Sequence, residues 1–168
     1  MSKLTREQVQ HLADERLARG LLDLYLKGAD LSGIDLSGLD LHNANLRGAN
    51  LSTTDLRETN LSGADLIEAN LSLSDLRKAD FYQANLTGAN MTGANLTFAH
   101  LGQANLTAAV LRDANLTFVD ARRANFALAD LSNSNLREAK LHGADLDQAD
   151  LAGAKLQGAI MPNGSRHD

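Results

Sequence analysis

Apolar and polar positions along this chain repeat with a period of five residues, without an insertion from Ala29 to Met161. Counting in steps of five from Leu31, the central position is Leu in 22 of 27 repeats. Ala stands two residues earlier in 20 of 27 repeats, and Asp or Asn lies between them in 22 of 27. A regular repeat of this kind predicts a solenoid in which each unit stacks on the next, and not an ordinary globular core.

The period of five also predicts which side chains face inward. It matches neither an α-helix nor a long β-strand. Ala and Leu are two residues apart, so in extended backbone they point to one side while Asp or Asn points to the other. The last position of the unit holds nine of the thirteen glycines, for example Gly48, at the place where a type II turn needs a positive φ. We therefore predict short extended sides joined by corners, with Leu and Ala inside.

These Ala-(Asp/Asn)-Leu-x-x units, of which residues 44–48 are an example, resemble the pentapeptide repeat family, and the resemblance covers most of the chain. It implies an all-β solenoid, specifically a right-handed quadrilateral β-helix in which four repeats complete one coil. Side chains four repeats apart would then stack on successive coils, at the spacing of about 4.8 Å between paired strands.

The residues before the repeats carry helix signals. Residues 4–19 are predicted to form a short α-helix, with Thr5 and Gln8 as a capping box and Gly20 as its stop. Leu4 and Val9 have the spacing of a hydrophobic staple, and the predicted apolar face consists of Val9, Leu12, Ala13 and Leu17. We expect this helix to lie over the first coil and shield its backbone edge.

The chain therefore divides into a capping helix with a lead-in segment at 1–28, a β-helix at 29–161 and a polar tail at 162–168. Within the lead-in, Leu21 to Lys27, the residues Leu24 and Leu26 are already in repeat register. Pro162 has no backbone donor and discourages a further strand, so the last coil is predicted to be the barer end. If the protein self-associates, we expect a homodimer through the C-terminal coil, with Ile160 and Met161 in the contact.

The titratable residues do not form a catalytic or cofactor signature. The chain has no cysteine, so thiolate metal sites are not available. His100 occupies an Asp/Asn position, and its predicted neighbours on adjacent coils are Asp80 and Asp120. We interpret this as an ion-pair ladder, because a metal site needs more converging ligands than a flat face offers. Catalytic residues, cofactors and metals are not expected, and the chain is not predicted to be an enzyme.

The net charge and the hydropathy of the chain limit the kinds of molecule that it is expected to bind. The net charge of −5 weighs against non-specific binding to nucleic acid or to anionic lipid. No stretch approaches the roughly 18 apolar residues of a membrane span. The first residues lack the apolar run of a secretory signal, so a cytoplasmic location is expected.

Two binding functions remain. The preferred interpretation is a non-enzymatic structural or protein-interaction scaffold whose partner is unknown. The alternative, which the family resemblance implies, is a DNA mimic that modulates a type II topoisomerase. Mimicry needs a long anionic face, whereas the column of Asp35, Asp55 and Asp75 runs beside Arg57 and Arg77.

Phe98 and Phe118 are the candidate partner-contact patch. They are four repeats apart at the same corner position, so their rings are predicted to stack on successive coils. Stacked rings stabilise neighbouring strands by themselves, and an outward-facing pair also forms an apolar surface for a partner. Both interpretations stay open on the sequence.

Overall fold

A computed structural model describes residues 3–18, 20 and 24–168 of the chain. Residues at the Asp/Asn position pair in parallel with the residue 20 positions further on, from Tyr25 with Asn45 to Lys140 with Ile160. Four repeats therefore complete one coil, which confirms the predicted four-sided β-helix. The sides are single bridges and not long strands, since the chain turns a corner every five residues. In the part of the chain that the structure describes, no helix has the length and apolar character that crossing a bilayer requires.

The interior is a continuous column of Leu and Ala. The central Leu side chains are buried from Leu31 to Leu141, and Phe81, Met91 and Phe126 are buried in the same way where they replace Leu. The predicted division into inward Leu and Ala and outward Asp or Asn is therefore correct. Close packing of this kind makes each inward position sensitive to a change of side-chain volume.

Each corner begins at the central Leu, and its third residue, which is the last position of the repeat unit, lies in the left-handed backbone region. These residues, from Gly28 to Gly158 in steps of five, have φ between +54° and +75°, and most of them are not glycine. At one such corner Asn43 donates its backbone N–H to Ser62 O of the next coil at 2.9 Å, and Ala44 closes the turn on Leu41 O at 3.1 Å. The coil-to-coil and turn hydrogen bonds hold side-chain-bearing residues in a conformation that ordinarily costs them about 1–2 kcal/mol.

The outward side chain at the Asp/Asn position forms a hydrogen bond to the backbone of its own corner. Its side-chain oxygen accepts the backbone N–H of the residue two positions on, which is an Asx turn. At Asn90 the same oxygen accepts the N–H of Thr92 at 3.1 Å and its hydroxyl at 2.7 Å. The turn thus explains why Asp or Asn recurs and why Ser and Thr are common two residues later.

The N-terminal helix α1 spans Arg6–Ala18. Thr5 and Gln8 form the predicted capping box, with the N–H of Gln8 donating to Thr5 Oγ1 at 3.3 Å and the N–H of Thr5 to Gln8 Oε1 at 2.9 Å. Val9 and Ala13 are buried against the rod, but Leu12 is 37% exposed, so the predicted apolar face is wrong at that position. Arg16 is buried instead, at 3% exposure, because residues 9, 13 and 16 share one side of a helix.

Parts of the N-terminal prediction fall on residues outside the described part of the chain. These are residue 19 at the predicted end of the helix, the side chain of Leu17, and residues 21–23 of the lead-in segment. Leu24 and Leu26 are described and are buried in register with the rod.

Helix α1 and Leu4, which precedes it, cover carbonyl groups of the first coil with donors of their own. The N–H of Leu4 donates to Asp30 O at 3.0 Å. Arg6 donates to Asp35 O at 2.8 Å and to Ser37 O at 3.0 Å. Arg16 donates to His42 O at 2.6 Å. In interior coils the equivalent carbonyls accept the N–H groups of the preceding coil, so α1 replaces a missing coil.

The C-terminal tail is less bare than predicted. It folds back so that Arg166 pairs antiparallel with Ile160. The N–H of Gly158 donates to His167 O at 2.7 Å, and the N–H of His167 donates to Ala159 O at 2.8 Å. Pro162 ends the coil without preventing this pairing, because its carbonyl accepts the N–H of Gly143 at 2.9 Å. The tail covers the side of Ile160 only.

Candidate functional site

Phe98 and Phe118 lie one above the other at the same corner of adjacent coils. Their ring centroids are 5.0 Å apart with an interplanar angle of 4°. The two residues are 57% and 46% exposed, respectively. The structure therefore brings the predicted pair together as an outward, parallel stack, which we call the phenylalanine corner. The positive φ of both residues, 61° and 58°, directs the side chains away from the coil.

A shallow groove of about 360 Å³ lies beside Phe98. Its lining consists of Arg57, Glu58, Arg77, Lys78, Thr97 and Phe98. Phe98 thus forms the apolar edge of a groove whose other residues are mainly charged. A ring exposed at the rim of a groove is accessible to a side chain that enters the groove.

The charges in this groove are matched in pairs. Arg57 contacts Asp55 at 2.6 Å, Arg77 contacts Asp75 at 2.6 Å, and Lys78 contacts Glu58 at 3.0 Å. The hydrogen bond from the Arg57 side chain is the main cause that lowers the pKa of Asp55, even though partial burial acts in the opposite direction. These carboxylates stay ionised, but their charge is neutralised locally by their own partners.

The acidic column named in the sequence is neutralised along its length. Asp35 pairs with Arg6 of α1 at 3.1 Å, and Asp75 is also within 3.8 Å of Arg57. The hydrogen bond from the Arg77 side chain is the largest cause that lowers the pKa of Asp75. An alternating column of this kind does not present the continuous anionic face that mimicry of a DNA backbone requires.

Two other large apolar side chains are exposed on other corners. Leu73 is 66% exposed and Leu128 is 55% exposed. Both occupy the same third turn position as Phe98, with φ of 58° and 62°. They are therefore natural comparators for the phenylalanine corner, because they share its backbone geometry without a stacked aromatic neighbour.

A second site, which sequence reasoning missed, lies where Gly102 replaces a side chain. A cleft of about 350 Å³ opens there, and we call it the Gly102 cleft. It is lined by Tyr82, His100, Gly102, Gln103, Asp120, Arg122, Arg123 and His142. Tyr82, Gly102, Arg122 and His142 are spaced by 20 residues. That spacing was the signal available in the sequence, since it stacks these residues at one corner.

His100 forms part of the predicted ladder. Its Nδ1 lies 3.1 Å from Asp80 Oδ1, and its ring stacks on Tyr82 with centroids 5.6 Å apart. Asp120 contacts Arg122 instead, with Arg122 Nη2 at 2.7 Å from Asp120 Oδ2. Burial is the strongest single influence on the pKa of Asp120, but hydrogen bonds and charge from Arg122, together with nearby His100, lower it overall. Within the described residues, no three His, Cys, Asp or Glu side chains are placed to hold a metal ion.

The candidate dimer contact, Ile160 and Met161, is half-buried. Ile160 donates to Ala139 O and accepts the N–H of Leu141, both at 2.8 Å, and its outer edge pairs with Arg166. The tail therefore already covers this side of the last coil. A homodimer through this end stays a prediction, and its contact would have to include the sides that the tail leaves open.

Comparison with protein families matches the chain to pentapeptide repeats in eight copies, over residues 23–57, 54–93, 89–127 and 129–163. No curated protein matches the chain significantly.

Several solved structures are similar to the chain. A pentapeptide repeat protein of the cyanobacterium Cyanothece 51142 is 26% identical, with 84% of this chain and 93% of that chain covered and a TM-score of 0.40. HetL of Nostoc sp. strain PCC 7120, a pentapeptide repeat protein involved in heterocyst differentiation regulation, is 30% identical over 91% and 97% of the two chains, with a TM-score of 0.23. QnrB1, a plasmid-mediated fluoroquinolone resistance protein, is 19% identical over 79% and 81%, with a TM-score of 0.48.

Proposed function

Because this chain belongs to the pentapeptide repeat family and forms its right-handed four-sided β-helix, we propose that it is a non-catalytic scaffold that binds a protein partner through the phenylalanine corner. The observation that carries this proposal is the outward stack of Phe98 and Phe118 on a rigid backbone. Aromatic side chains supply much of the binding energy at protein interfaces. Rings already held in place by coil-to-coil hydrogen bonds lose little freedom when a partner binds.

The surroundings of the stack indicate the chemistry of the partner. The groove beside Phe98 offers an apolar ring at one edge and paired charges along its floor. Phe118 donates its backbone N–H to Arg137 O of the next coil at 3.0 Å, and the exposed Arg137 side chain makes no ion pair within the described residues. The partner that fits this corner is a protein segment with an apolar side chain to cover the rings and a carboxylate to meet Arg137.

The acidic residues support a non-catalytic role because the fold already uses them. Asp30 accepts the hydroxyl of Ser32 at 2.8 Å in an Asx turn, and Asp55 and Asp75 are engaged by arginine. The same ion pairs favour a scaffold over a DNA mimic directed at a type II topoisomerase, since mimicry depends on the summed field and not on the number of acids. We propose that the scaffold acts in the cytoplasm, where a chain without cysteine needs no disulfide to fold.

Affinity capture from the native cell tests the proposal with two double variants. Phe98→Ser/Phe118→Ser removes the stack, while Leu73→Ser/Leu128→Ser removes two equally outward side chains from other corners. We expect a protein captured by the wild type and by the leucine variant to be lost with the phenylalanine variant. A partner retained by the phenylalanine variant, or lost equally with both, would contradict the proposal. A topoisomerase captured independently of Phe98 and Phe118 would favour the mimic.

A further inference from the structure

Gly102 leaves a gap in a column of side chains. Residues spaced by 20 along this corner are His42, Ser62, Tyr82, Gly102, Arg122 and His142. Gly102 does not have a positive φ, so its backbone conformation does not demand glycine. A Cβ at this position would lie 3.1 Å from His100 Nε2 and 3.4 Å from Tyr82 Cδ2. A side chain at this position would therefore push the His100 ring by a few tenths of an ångström, whereas glycine leaves the stack of Tyr82 and His100 undisturbed.

The wall of the cleft formed by Tyr82 and His100 is held in place from several directions. The two rings are nearly parallel, at 7°. Asp80 fixes the imidazole through Nδ1, and Gln103 donates to the Tyr82 hydroxyl at 3.0 Å. A carboxylate only accepts hydrogen bonds, so Nδ1 donates to Asp80 and Nε2 faces the gap. These contacts orient the two rings as one flat wall of the cleft.

The opposite wall is cationic and has unused donors. Arg122 binds Asp120 through Nε at 2.8 Å and Nη2 at 2.7 Å, which orients the guanidinium and leaves Nη1 for another acceptor. The hydrogen bond from Asp120 raises the pKa of Arg122, so its charge is retained. Among the described residues, the side chains of Arg123 and His142 make no hydrogen bond or ion pair.

We propose that the Gly102 cleft binds a phosphate monoester, with the phosphoryl group on Arg122, Arg123 and His142 and the group that carries it against Tyr82. The volume of about 350 Å³ is within the range of small-molecule sites. The phosphoryl oxygens can accept several hydrogen bonds at once, and guanidinium groups match that geometry. This site is independent of the phenylalanine corner, so either assignment can fail without the other.

Calorimetric titration of the full chain with phenyl phosphate, at constant ionic strength, tests the proposal. We expect saturable binding that Arg123→Gln weakens about tenfold, as loss of a charge-assisted hydrogen bond predicts. Arg47→Gln is the control, because it removes the same charge from an exposed arginine at another corner, outside both proposed binding sites. It should change the affinity by less than about twofold. Equal weakening by both variants would mean that phenyl phosphate responds only to overall charge, and would overturn the proposal.

A second variant and a second ligand make the test more specific. Gly102→Ala should weaken binding of phenyl phosphate by about tenfold or more, because the added methyl group displaces His100 or fills the gap. If Gly102→Ala does not fold, as judged by circular dichroism, the Arg123→Gln result decides. Benzoate carries a carboxylate on the same ring and should bind more weakly than phenyl phosphate. Benzoate binding as tight as that of phenyl phosphate, or no saturable binding of phenyl phosphate, would overturn the assignment.

Discussion

The two ends of the rod differ in how fully the unpaired backbone groups of their terminal coils are covered. At the N-terminal end, carbonyl groups of the first coil face outward, and donors come from Leu4 and from Arg6 and Arg16 of α1. At the C-terminal end, N–H groups of the last coil face outward, and the tail covers only the side of Ile160. The N–H groups of Leu146, Leu151 and Leu156 make no backbone hydrogen bond within the described residues.

The difference shows how a repeat fold can limit its own length. Interior coils join because the N–H groups of one coil meet the carbonyl groups of the next, as when Leu101 donates to Asp120 O at 2.7 Å. The first and last coils of two molecules would match in the same way if both were uncovered. Helix α1 covers one of these two complementary edges, so we expect it to block head-to-tail stacking into an open filament.

Detaching α1 should have the largest effect. Val9 is fully buried between α1 and the rod, and Val9→Asp places a charge there without a partner. We expect a loss of about 3 kcal/mol in the free energy of unfolding. Light scattering should show a mass that grows with concentration, because the uncovered carbonyl edge accepts the last coil of another molecule. Leu12→Asp, on the exposed side of α1, should stay within about 0.5 kcal/mol of the wild type and remain unassembled.

Enlarging an inward Ala should distinguish the middle of the rod from its open end. Ala94 is buried, and Ala94→Leu should lower the free energy of unfolding by about 1–3 kcal/mol through overpacking. Ala154 holds the same repeat position but is only partly buried in the last coil, so Ala154→Leu should have a smaller effect. Thermal unfolding measures both. Equal shifts would show that the last coil is packed as tightly as the middle.

Acid should weaken the coil beneath the open end. Hydrogen bonds from the Ser132 hydroxyl and from Arg112 lower the pKa of Asp130 to about 2. Because this folded-state pKa lies below the ordinary value of 3.8, the stabilisation is complete above about pH 4 and is lost as the pH falls towards 2. The unfolding temperature of Asp130→Asn should therefore fall less over this range than that of the wild type. Parallel profiles would assign the acid sensitivity to other groups.

The smallest effect on stability is expected at the candidate dimer contact. Ile160→Lys adds a charge to a half-buried side chain at the edge of the rod. If the wild type forms a homodimer through its last coil, this change should return the mass measured by light scattering to that of one chain. Two such ends offer each other mainly N–H groups, so apolar contacts of Leu146, Leu151 and Leu156 would have to contribute most of the affinity. A dimer that survives the added lysine places the contact elsewhere.

The regular part of the molecule was predictable because one constraint acts at every repeat. The spacing of Ala and Leu predicts inward side chains, and a separation of four repeats predicts that Phe98 and Phe118 stack. The exceptions were not predictable in the same way. Arg6 and Arg16 look like solvent-exposed charges in a short helix, and their role depends on carbonyl groups of a coil more than 20 residues away.

The Gly102 cleft was missed for a related reason. A glycine near a corner looks like an ordinary turn residue, and nine others in the rod are turn residues of that kind. Its significance follows from the rings of Tyr82 and His100, which lie on different parts of the coil. The fold of the tail against Ile160 also depends on unpaired groups of the last coil, which the polar sequence after Pro162 does not reveal.

Amide hydrogen exchange tests the comparison of the two ends most directly, because it reports the protection of each N–H group. At a concentration where light scattering gives the mass of one chain, the N–H of Leu4, which donates to Asp30 O of the first coil, should be protected. Leu26, Leu31 and Leu36 of the covered first coil, which donate to the second coil, should exchange nearly as slowly as interior residues. Leu146, Leu151 and Leu156 should exchange much faster. First-coil amides as unprotected as those of the last coil, or uniform protection along the rod of a single chain, would contradict the account.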